Sequence, residues 1–82
     1  MKKIYESALN GWDESAERIH LYTIKNDDEY YMFTEMSHSE MQEYFGMYDP
    51  CVGVLPGAMY SRYEFKITNN HVVIIETVAY NV

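Results

Sequence analysis

The sequence predicts an α+β domain: a four- or five-stranded antiparallel sheet made of two hairpins, with one helix packed on one face. Three observations carry that expectation. Residues 61–80 alternate and then run apolar around Asn69-Asn70, a hairpin pattern. Ser37-His38-Ser39-Glu40 is a capping box that starts a helix. Residues 18–36 hold two more segments rich in strand formers on either side of a polar turn. The 82 residues, 48% of them hydrophobic, fit a single domain, 1–82, with material for a modest core.

Taken in order, Lys3 to Leu9 is a short element, strand ahead of helix, because Asn10-Gly11 interrupts its helical spacing with a turn signal. Gly11 to Glu17 reads as a polar loop. Arg18 to Lys25 and Glu29 to Met36 read as two strands joined through Asn26-Asp27-Asp28, the first hairpin. The helix follows, with Ser37 as N-cap and Glu40 at the third helical position. Met36 and Met41 stand where a hydrophobic staple pairs them. Met41, Tyr44, Phe45 and Tyr48 form its apolar stripe, and Gly46 is its C-terminal stop.

Asp49 to Ala58 contains both prolines and two of the four glycines, so it is a loop. Val52, Val54 and Leu55 suggest that it packs down onto the domain. In the last hairpin Tyr63, Phe65 and Ile67 share one face. Asn69-Asn70 can adopt positive φ and close a tight turn. A two-residue turn pairs Ile67 with Val72 and Phe65 with Ile74. Val73 and Ile75 then lie on the other face, which predicts a central strand covered on both sides.

The formal net charge is −7, and it is concentrated. Between Lys25 and Arg62 there are seven acids, Asp27, Asp28, Glu29, Glu35, Glu40, Glu43 and Asp49, and no Lys or Arg. Elsewhere six acids balance six bases, so the middle of the chain carries the whole imbalance. Such asymmetry bears on partners and solubility rather than fold. The acids are interleaved with aromatics, notably Tyr30, Tyr31, Tyr44 and Tyr48. This surface suits a basic protein partner and repels nucleic acid. Its plainer explanation is a solvated face that keeps the chain soluble.

Chemical constellations are sparse. His20, His38, His71 and Cys51 show no ligand spacing, so no metal site is expected. Cys51 follows Asp49-Pro50, and a nearby carboxylate raises a thiol pKa, so a packed loop residue is expected rather than a nucleophile. Glu40 and Glu43 are helix neighbours, but solubility accounts for them. Asp27-Asp28-Glu29 lacks the calcium-loop pattern, and Gly53 to Gly57 lacks phosphate-loop spacing. No catalytic residue and no cofactor is expected. A lone cysteine excludes an internal disulfide. No apolar run is long enough to span a bilayer, and the N-terminus does not read as a signal peptide. A cytoplasmic protein with no membrane partner is expected.

The functional expectation is a non-enzymatic inhibitor that docks an acidic, Tyr-rich surface onto a basic nucleic-acid-binding site of another protein. The expected contact residues are Asp27, Asp28, Glu29, Tyr30, Glu35, Glu40, Glu43, Tyr48 and Asp49. By analogy of size and charge only, small acidic proteins of phages and mobile elements, including anti-CRISPR and anti-restriction proteins, have this general build. The alternative is a structural subunit of a complex or a homodimer, assembled through the strand from His71 to Tyr80. A small-ligand binder or enzyme ranks last for want of a chemical constellation.

Overall fold

The computed structural model describes residues 1–12, 15–50 and 56–80. Six elements follow in order: β1 (Lys2–Glu6), β2 (Ser15–Thr23), α1 (Asp27–Glu35), α2 (His38–Phe45), β3 (Met59–Ile67) and β4 (His71–Tyr80). The strands form one antiparallel sheet in the order β1-β2-β4-β3. The fold is α+β with a four-stranded antiparallel sheet, as the sequence predicts, but with two helices rather than one. The hairpin expected between Arg18–Lys25 and Glu29–Met36 is not formed, and β2 pairs instead with β1 and β4.

The C-terminal hairpin has the predicted register, Ile67 opposite Val72 and Phe65 opposite Ile74. Its turn differs from the expectation. No non-glycine residue among those described has positive φ. Thr68 closes the turn instead. Its N–H donates to the His71 carbonyl at 2.9 Å, and its hydroxyl accepts from the His71 N–H at 3.0 Å. β4 is central, as predicted, with β2 on one side and β3 on the other. Val72, Ile74, Glu76 and Val78 are buried on its helix-facing side. Val73 and Ile75 are only half-buried, and no described element covers their side of the sheet.

The segment from Glu29 to Met36, expected as a strand, is instead most of α1. Asn26 is extended and its side-chain oxygen accepts from the Glu29 N–H at 2.9 Å. That is the N-cap bond that satisfies an orphan helix donor. Asp27, Asp28 and Glu29 fill the first turn, where negative charge suits the helix dipole. The residues that read as turn chemistry are therefore the cap. Asn26 followed by Glu29 has the same spacing as Ser37 followed by Glu40. The run Tyr30-Tyr31-Met32-Phe33 is apolar without clear periodicity, and short apolar runs do not separate strand from buried helix.

α2 follows the sequence reading closely. Ser37 Oγ accepts from the Glu40 N–H at 3.2 Å, and Glu40 Oε1 accepts from the Ser37 N–H at 3.1 Å. Gly46 ends the helix at φ 67°, and the Met47 N–H returns to the Gln42 carbonyl at 2.9 Å, a Schellman-type closure. Both helices lie on one side of the sheet. Phe33 and Met41 project from them onto Val72, Ile74 and Ile24. Phe45 joins the layers, with ring centroids 4.9 Å from Tyr22 and 5.9 Å from both Phe33 and Phe65.

At the other end of the chain, β1 confirms strand over helix for the first element. Gly11 has φ 98°, beside the bridge between Asn10 and Glu17. A Cβ there would also lie 3.1 Å from the Ser15 carbonyl oxygen. The region expected as a loop as far as Glu17 is already strand from Ser15. The expected packing of Val52, Val54 and Leu55 and the setting of Cys51 fall outside the described residues.

Asn26→Ala should lower stability by about 1 kcal/mol, whereas Asn26→Gly should cost only a few tenths. Urea titrations of the two variants beside the parent chain would separate capping from general substitution effects.

Candidate functional site

The two helices and the turn after them carry all seven acids of the central block. Neither helix has a base in its last turn. The Lys and Arg residues lie on the strands or, for Lys25, just before α1. Folding thus turns a block in sequence into an acidic helical layer on one side of the sheet.

The acids are not equivalent. Asp27, Asp28, Glu35, Glu40 and Glu43 are exposed. Glu40 spends one oxygen on the capping box. With Glu43, Met36 and Tyr44 it lines a shallow groove of about 300 Å³. Glu29 and Asp49 are half-buried and internally committed. Glu29 accepts from the Lys25 N–H at 3.0 Å and from the Met1 amino group at 3.2 Å. The Lys25 N–H, aided by the Met1 amine, holds its carboxyl below the ordinary value. Asp49 accepts from the Tyr63 N–H at 2.9 Å and from His38 Nε2 at 3.2 Å. Burial pushes its pKa up, but the Tyr63 N–H and His38 together outweigh burial and hold it low. Asp49 thereby occupies a backbone donor of β3, an edge strand that would otherwise be open for pairing.

The tyrosines sort differently from the expectation drawn for the site. Tyr30 is half-buried against the core. Tyr31 is 63% exposed, Tyr48 59% and Tyr44 48%. Of the adjacent pair Tyr30-Tyr31, the expected contact residue Tyr30 is the one turned toward the core and Tyr31 the one left outward, since helical geometry sets consecutive residues about 100° apart.

A second cluster, not anticipated from the sequence, lies on the helix side of the sheet. His20 and Glu76 are buried at 5% and 8% exposure. His20 Nε2 lies 2.9 Å from Glu76 Oε1, and its Nδ1 lies 3.1 Å from Glu6 Oε1. The Ser61 hydroxyl donates to Glu76 Oε2 at 3.1 Å, and Arg18 Nη1 stands 3.6 Å from Glu76 Oε1. The His20 Nδ1 contact meets the distance of an ion pair but not the angle of a hydrogen bond, so Nδ1 has no hydrogen-bond partner. Burial, and then the Glu76 charge, raise the pKa of the neighbouring Tyr63 phenol.

These groups come from all four strands. Ser61 donates to Glu76 and not to His20, so the hydroxyl-to-imidazole bond that activates a serine nucleophile is not made here. The arrangement acts as a polar cross-tie. Its sequence signal was Glu76, the one acid in a strand of apolar residues, on the parity of Val72 and Ile74.

Among the described residues, no group of three or more His, Cys, Asp or Glu is placed to hold a metal ion. None of their helices is long and apolar enough to cross a membrane. No protein-family model matches the chain, and no curated protein or solved structure is significantly similar to it.

Two outcomes are expected. Glu76→Ala should cost about 3 kcal/mol, because it strands buried partners. Glu64→Ala, an exposed acid on β3, should stay within about 0.5 kcal/mol. Urea midpoints of the two variants check this. The Asp49 pKa lies below its ordinary value of 3.8. Its stabilising contribution is therefore complete above that value and is lost as pH falls through the lower, folded one. Asp49→Asn should show a shallower acid limb in a stability–pH profile below about pH 4.

Proposed function

We propose that the chain is a non-enzymatic binding protein that docks its acidic helical layer onto a basic, nucleic-acid-binding site of a protein partner. Its charge imitates phosphate, and the partner's site is thereby blocked. This is the action of phage or mobile-element anti-defence proteins of the anti-CRISPR or anti-restriction type. The observation that carries the reading is the helical layer itself: five exposed acids with no Lys or Arg on either helix.

Two features support it. Tyr31, Tyr44 and Tyr48 are exposed beside those acids. Tyrosine supplies apolar contact area with a hydroxyl for hydrogen bonding, and it is enriched at interfaces. A single-sign field also raises the association rate with a basic partner and makes that rate sensitive to salt.

The test is competition. The chain is titrated into complexes of DNA with basic defence proteins, such as a CRISPR effector nuclease and a restriction enzyme. It should displace DNA at low salt and weaken on the order of 10-fold or more at high salt. Changing Asp27 and Asp28 to Asn, and Glu35, Glu40 and Glu43 to Gln, should abolish the effect. Gln at position 40 keeps a capping-box side chain. Changing Glu6 and Glu17 to Gln should leave it intact. Undiminished competition by the helix variant would end the charge reading.

A further inference from the structure

The side of the sheet opposite the helices breaks a rule that the rest of the molecule keeps. In an antiparallel sheet with one solvated face, outward positions are ordinarily polar. β3 obeys this with Arg62, Glu64 and Lys66, all exposed. The two strands at the sheet's centre do not. Ile19 and Leu21 of β2 lie directly opposite Ile75 and Val73 of β4. All four have the parity that points away from the helices. Ile19 is 42% exposed, Leu21, Val73 and Ile75 are half-buried, and both helices pack on the opposite side.

We infer that this face packs against the same face of a second copy of the chain, forming a homodimer in which two sheets stack between two outer helical layers. Charge selects the occupant. Two copies, each with net charge −7, repel one another through helical layers that carry seven acids and no Lys or Arg. The open face has charges of both signs instead, Glu17 and Glu64 against Lys2, Arg62 and Lys66. Two such faces of mixed charge can meet with far less repulsion than two helical layers, while those acids stay on the outside. Size agrees. The molecule is a slab of 43 × 25 × 14 Å, and its broad face can supply the ~800 Å² per partner that a standard interface buries. Aligned packing of two sheets through aliphatic side chains is an ordinary way to close such a layer. The dimer and the proposed inhibitor contact use opposite sides, so neither depends on the other.

The experiment is sedimentation equilibrium of the full chain over a concentration series, at low and high salt. The parent should approach twice its 9.7 kDa chain mass. Its dimer should tighten as salt screens the repulsion between the two acidic copies, opposite to the salt response expected of a basic-partner complex. Ile19→Lys should weaken the dimer on the order of 100-fold. Val73→Thr, a near-isosteric strand former that preserves the fold, should weaken it several-fold. Tyr31→Lys on the helical layer should not weaken it. Circular dichroism melts confirm that each variant is folded. A parent that stays monomeric at every concentration overturns the inference. So does a dimer that folded Ile19→Lys and Val73→Thr leave unchanged.

Discussion

β4 is hydrogen-bonded along its length on both sides, to β2 and to β3, and the placement of almost everything else depends on that. Its side-chain parity divides the molecule. Val72, Ile74, Glu76 and Val78 face the helices and are buried, while Val73, Ile75, Thr77 and Ala79 face the other way. A shift of one residue in either ladder would exchange these two sets. The register is held by the short Thr68–His71 turn and by the Ile24 N–H, which donates to the Asn70 carbonyl at 2.8 Å. The same turn therefore ties the C-terminal hairpin to the end of β2.

The helix-facing side has two chemically different halves. Near the turn it is an aromatic and methionine core, with Phe33, Met41 and Phe45 over Val72 and Ile74. Farther along, at Glu76, it becomes a polar cross-tie through His20, Ser61 and Arg18. Burying a carboxylate is costly unless it is paired and hydrogen-bonded. Glu76 is both. The cluster also specifies which strands are neighbours, since its members come from β1, β2, β3 and β4.

Charge is segregated by the same architecture. The acidic segment folds into the helical layer, and the flanking strands carry mixed charge. Capping explains some of the acids without reference to any partner. Asp27, Asp28 and Glu29 favour the start of α1, and Glu40 closes the capping box of α2. Local helix physics does not account for Glu35 or Glu43, nor for the complete absence of Lys and Arg from both helices. The proposed function rests on the five exposed acids of that layer taken together with this absence of Lys and Arg.

Much of the fold was legible in the chain because its signals are local. The α2 cap, the Gly46 stop and the alternation of β3 each depend on residues a few positions apart, and one backbone geometry satisfies each. The pairing of Phe65 with Ile74 followed from turn length alone. Residues 29–36 were not legible. Tyr, Met and Phe suit either a half-buried strand or a buried helix face, and propensity yields to context. Context here is the sheet: β1 and β4 occupy both sides of β2, and the segment caps at Asn26 and packs as α1. Sequence alone was enough for the α+β class, the register of the C-terminal hairpin and the block of negative charge. Tertiary structure decided which acids remain free, since Glu29 and Asp49 are bound internally only because distant chain, Met1 and Tyr63, is folded against them. It also decided that Glu76 meets His20 across 56 positions of sequence, a contact between strands that no local pattern encodes.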